Sequence, residues 1–230
     1  MFDELEQVFS ATEAESKRQD YASAIIDGNC LSKPTAATRR LTNQRLGELY
    51  GLDPSIPVFR VLRRLWDLDR EGHRLLSLLI SIARDPLLAV TAPCVVFLPI
   101  GAEFQRGPMK SALQALVGDR LNDSTLDKVC RNAASTWAQS SHLEGRTFKK
   151  RRPVNATPTA VAFALYLAQA AGFRGAEIFS CSWLRVLDCD PSHARHLALE
   201  AKRVGLLDLR MSGEVVELNL SRLDPNSSRY

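Results

Sequence analysis

Arg39, Arg40, Asn43 and Gln44 lie close together in the segment LSKPTAATRRLTNQRLGELYGL. These side chains suit reading of a DNA groove. The guanidinium of arginine is a planar fork that matches guanine edges and phosphate oxygens, and the carboxamides of Asn and Gln match adenine. Lys33 and Pro34 suggest a turn, Thr35 a cap, and the following residues a helix through Tyr50. On that helix the four polar residues share one side, with Lys33 and Thr38 near its start, while Ala37, Leu41 and Leu49 fall on the other. A solvated helix face carries the same residue types, so groove contact and plain solvation both fit. Arg45 stands four residues from both Leu41 and Leu49, inside the apolar stripe. It is therefore expected to be a buried or half-buried ion-pair partner.

A second concentration of charge is the run RTFKKRR, residues 146–152, which holds Arg146, Lys149, Lys150, Arg151 and Arg152 and no acid. It reads either as a solvated linker or, if the flanking domains share one ligand, as a strip that neutralises several phosphates. A third, looser set is Arg195, His196, Lys202, Arg203 and Arg210.

Other chemistries lack their residues. The sequence has no Walker loop, zincin motif, CxxC pair, kinase set or glycine-rich dinucleotide turn, so no enzyme, cofactor or small-molecule substrate is expected. His193 and His196 are three apart, but Cys181 and Cys189 do not have zinc-finger spacing, and no metal is expected. Asp67, Asp69 and Glu71 are expected to cap a helix or pair with Arg63, Arg64 and Arg74 rather than hold a nuclease metal.

The elements that position these groups follow from periodicity. Up to residue 145 the chain reads as almost wholly helical, with stripes at three and four spacing: Phe2, Leu5, Phe9; Phe59, Leu62, Leu65, Trp66; Leu75, Leu79, Ile82, Ala83; and Leu126, Val129, Cys130, Ala133, Trp137. Pro108 opens one helix that Gly118 closes, and Asp123 or Ser124 caps the next. A domain boundary is expected near the basic run, giving a helical domain over 1–150 and a second domain over 151–230. In the latter come an apolar helix ending near Gly172, a mixed segment GAEIFSCSWLRVL, and a third helix capped by Asp190 with Pro191 at its first position. Ala194, Leu197, Ala201 and Val204 form its apolar stripe and Gly205 stops it. A hairpin turning at Met211, Ser212 and Gly213 follows, then the polar tail DPNSSRY. Three helices and a hairpin in that order read as a winged helix, whose third helix enters the major groove. Many winged helices bind proteins instead, and this segment is electrically neutral.

Composition agrees with a mainly α-helical globular protein of 230 residues with 45% hydrophobic and 24% charged residues. Its net charge of +4 is mild, yet 23 of its 30 basic residues are arginine. Positive charge gathers in 31–50 and 146–152, whereas 1–30 is strongly acidic. The five cysteines are scattered and MFDELEQVF is no signal peptide, which suggests reduced thiols in a cytoplasm. The apolar stretch from Leu75 to Ile100 is broken by Arg84, Asp85 and Pro86, so it reads as core and not as membrane.

The segment QDYASAIIDGNCLSKPTAATRRLTNQRLGELYGL, the helix-rich middle and VGLLDLRMSGEVVELNL together resemble the BrxA family of BREX bacteriophage-defence systems, over roughly residues 20 to 220. The resemblance implies a helical amino-terminal domain with a helix-turn-helix, a carboxy-terminal winged helix, binding of double-stranded DNA, and a role beside a methyltransferase and other defence proteins. It also implies that Lys33, Arg39, Arg40 and Asn43 face DNA. The acidic first 20 residues look like an addition to the family pattern.

Overall fold

The computed structural model describes residues 1–213 and 215–225, so Glu214 in the hairpin turn and the end of the polar tail, residues 226–230, lie outside the described residues. Helix dominates. The order is α1 (Phe2–Ser10), α2 (Arg18–Ile26), α3 (Ala36–Tyr50), α4 (Pro57–Trp66), α5 (His73–Arg84), α6 (Pro86–Ala89), α7 (Pro93–Val96), α8 (Arg106–Val117) and α9 (Asp123–Gln139). A short ladder, β1 (Leu143–Glu144) with β2 (Lys150–Arg151), comes next. Then follow α10 (Pro158–Ala170), a 3-10 turn at Gly175–Ser180, α11 (Ser182–Val186), α12 (Pro191–Arg203) and the antiparallel pair β3 (Asp208–Ser212) and β4 (Val215–Asn219).

Local chemistry sets the helix starts. Thr35 accepts a hydrogen bond from the Thr38 amide at the start of α3, and Thr157 does the same for Ala160 ahead of Pro158 in α10. Asp190 accepts from the amides of Ser192 and His193 while Pro191 occupies the first turn of α12, where no donor is needed. Those two hydrogen bonds hold the Asp190 carboxyl below the ordinary carboxylate range. For α9 the cap is Asn122, which accepts from the Thr125 amide, one residue before the expected Asp123 or Ser124.

The core is built around α5, whose residues from Leu75 to Ile82 are all buried, including Ser77 and Ser81. It packs on α3, α4, α9 and α10. Beside it, the rings of Phe9, Tyr21, Phe59 and Trp66 meet largely edge to face, and Trp66 stacks on His73 with centroids 3.8 Å apart. Arg63 is buried beneath this cluster, paired with Asp67 at 2.7 Å as the sequence suggests. Asp69 instead accepts hydrogen bonds from the Thr159 hydroxyl and the Gly72 amide, and so ties α10 to the turn before α5. Ile82 completes the stripe on α5, but Ala83 is exposed.

Two expectations change here. The run 146–152 is not an open linker, because Arg151 is fully buried and one continuous hydrophobic cluster spans both sides of it. Helix α10 packs on α4 and α5, and Arg60 of α4 pairs with Asp224 at 2.8 Å. In α12 the buried residues are Ala194, Leu197, Ala198 and Ala201, whereas Val204 lies just past the last turn and is 70% exposed. Among the described residues no single helix is long and apolar enough to cross a membrane. The stretch from α5 to α7 bends by 109° at its break.

Candidate nucleic-acid interface

Helix α3 is held from one side by α2 and α5, and its buried residues are Thr42, Leu46 and Tyr50. Thr42 tolerates burial because its hydroxyl donates to the Thr38 carbonyl at 2.8 Å. That choice rotates the helix relative to the expected stripe. Ala37 and Leu41 point outward, Leu41 with 46% exposure, and Arg45 is exposed rather than buried. The outward face therefore carries Ala37, Arg40, Leu41, Gln44, Arg45 and Glu48, at the three and four spacing of one helical side. Gln44 donates to Glu48 at 2.8 Å. Asn43 sits on a half-buried flank, where it lines a shallow groove with Arg18, Glu48, Asp53 and Arg84.

Three other residues expected in this set serve the fold. Arg39 turns inward and donates from Nη1 to the Ile26 carbonyl at 2.6 Å, which closes the end of α2 onto α3. Lys33 pairs with Glu4 of α1 at 3.2 Å. Thr38 shares a hydrogen bond with the Thr35 hydroxyl at 2.9 Å within the cap. The outward set thus loses Arg39 and gains Arg45.

The basic run divides in the same way. The Nε of Arg151 donates to the Val95 carbonyl at 2.9 Å, and its terminal nitrogens donate to the Arg152 carbonyl and the Asp188 carboxylate. Arg152 is exposed but pairs with Glu144 at 2.9 Å. Arg146 and Lys149 lie in the loop between β1 and β2, Lys149 half-buried with its Nζ on the Gly145 carbonyl at 2.9 Å, and Lys150 is exposed at the start of β2. Sequence charge alone does not distinguish Arg151 from its neighbours, since the partner Asp188 lies far along the chain.

In the carboxy-terminal part, Arg195 is half-buried with its guanidinium 5.5 Å from the Phe179 ring centroid. His196 is exposed beside Glu200 at 3.4 Å. Lys202 donates to the Leu209 carbonyl at 2.8 Å, so it fastens α12 to β3. Arg203 is exposed at the end of α12, and Arg210 is exposed on β3 opposite Glu217 of β4.

Nucleophile chemistry finds no support at the thiols. Burial raises the Cys181 thiol, and burial with the nearby Asp188 and Asp190 carboxylates pushes Cys189 up to about 12, so both stay protonated near neutrality. No group of three or more metal-ligating side chains forms among the described residues. Buried His142 shares hydrogen bonds with Ser140 at 2.9 Å and the Val186 carbonyl at 2.7 Å, and joins the end of α9 to α11. Comparison of the chain with family models, with curated proteins and with solved structures returned no match.

Proposed function

We propose that this protein is a non-enzymatic binder of double-stranded DNA, with the outward face of α3 as the principal contact. The observation that carries this reading is the set Arg40, Gln44 and Arg45 on one exposed helical side, with Leu41 between them, on a helix fixed from behind by α2 and α5. Arginine and glutamine so placed suit phosphates and base edges, and an exposed leucine suits a thymine methyl. In this reading α2 and α3 act as a helix-turn-helix pair. Helices α10 to α12 with the β3–β4 hairpin act as a winged helix, with Arg203 and Arg210 among its exposed cations. The sequence resemblance to the BrxA family supports a role beside a methyltransferase and other proteins of a BREX phage-defence system.

Electrophoretic titration of a labelled duplex at two salt concentrations tests this. Binding that weakens steeply with salt is expected, because neutralised phosphates release counterions. Absence of binding at low salt overturns it. A second reading, a protein-interaction scaffold, is favoured by Leu68 and Val204, which are 60% and 70% exposed and line one groove with Arg203. Under that reading duplex DNA would not bind, and the groove would be the docking surface.

A further inference from the structure

The loop joining β1 to β2 carries Phe148, which is 70% exposed, between Arg146 on one side and Lys149 and Lys150 on the other. A large aromatic held out in water on a cationic loop gains nothing for the fold. The loop is nonetheless built firmly. Its base is hydrogen-bonded on both edges of β2, to β1 and to the segment 101–104: Gly101 donates to the Arg151 carbonyl at 2.8 Å, Arg151 to Ala102 at 2.9 Å, and Phe104 to Lys149 at 2.7 Å. The buried Arg151 guanidinium pins the same base from below. Where the loop leaves β1, Gly145 adopts φ +116°, and a Cβ there would stand 2.2 Å from the Phe148 carbonyl oxygen, so the loop closes too tightly for any side chain at that position.

We infer that Phe148 is a base-stacking residue, presented to DNA by a rigid loop whose cations hold the phosphates alongside it. This rests on the DNA-binding reading above and adds a second contact, remote in sequence from α3. Aromatic rings stack on nucleobases or wedge between base steps, and flanking cations neutralise the backbone that such a base brings with it. The charge around Phe148 decides for an anionic partner, and the planar ring decides for one with bases. Anchoring of the loop lowers the ordering cost on binding.

The test uses the full chain and a labelled duplex. Phe148→Ala is expected to weaken binding on the order of tenfold, with the slope of log affinity against log salt unchanged, because no phosphate contact is lost. Phe148→Trp is expected to keep the affinity, and the added indole emission to be quenched when the duplex saturates the protein. Wild-type affinity in Phe148→Ala, or a loss that appears in the salt slope, overturns the stacking assignment while leaving the DNA reading intact. Failure of the unaltered protein to bind duplex at low salt removes the DNA reading itself, and the stacking assignment falls with it.

Discussion

Replacing Arg151 by Met retains much of the side-chain volume and deletes every hydrogen bond the guanidinium makes. Arg151 is fully buried, and its loss takes a donor from the Arg152 carbonyl, from the Asp188 carboxylate and from the Val95 carbonyl, which keeps the Leu98 amide at 3.2 Å. Breaking a buried pair by removing one partner costs about 3–5 kcal/mol. Asp188 keeps the Val154 amide at 2.9 Å and 20% of its side-chain exposure, so water reaches the stranded charge and the lower end applies. For a chain of this size each kcal/mol shifts Tm by roughly 2–4 °C, so Arg151→Met is expected to lower Tm by about 6–12 °C. Thermal unfolding followed by circular dichroism reads this directly. Adding Asp188→Asn removes the stranded charge and is expected to recover part of the loss, and asparagine accepts the φ of +54° at that position. A fall smaller than about 2 °C in the single variant would show that the Arg151 guanidinium does not hold the fold in this way. So would an unchanged Tm with weakened DNA binding, since Arg151 would then serve the ligand and not the fold.

Arg39→Ala is expected to lower Tm by a few degrees, because a charged hydrogen bond contributes about 1.5–3 kcal/mol and the Ile26 carbonyl loses its donor. Its duplex affinity at a temperature where it remains folded should match the unaltered protein, and a selective loss of affinity would return Arg39 to the interface. His142 gives a pH dependence. Burial, with the Arg151 charge acting the same way, holds its folded pKa below the ordinary 6.5, against the opposing bond to Val186. The unfolded chain then takes up the proton first, so the neutral ring's contribution is complete above that ordinary value and is lost as pH falls below it. Tm should fall between pH 7 and 5, and less steeply in His142→Asn; equal slopes in the two proteins would contradict this.

Much of the fold was legible where periodicity is strong. The stripe on α4, the cap and length of α3, the Asp190–Pro191 start of α12 and the β3–β4 hairpin all lie where the sequence puts them. The orientation of α3 was not legible, because its four large hydrophobic residues, Leu41, Leu46, Leu49 and Tyr50, support two faces about equally. Burial of Thr42, satisfied by its own helix, decides between them. The spacing of Thr42, Leu46 and Tyr50 was the available signal. For the basic run the difficulty is different. Whether a cation faces solvent or supports a hairpin depends on a carboxylate 37 residues away, which no local pattern announces. Phe148 was legible only as a residue inside a charged run; its exposure depends on how β1 and β2 close.

Contact of α3 with phosphates through Arg40 and Arg45 is read out by the salt dependence of duplex binding in the Arg40→Ala/Arg45→Ala double variant. Both side chains are exposed, so Tm should stay within about 1–2 °C of the unaltered protein. The predicted result is weaker binding with a slope of log affinity against log salt reduced by about 2, one unit for each phosphate contact removed. An unchanged slope and affinity in a normally folded variant would contradict the assignment of α3 as the DNA-facing helix.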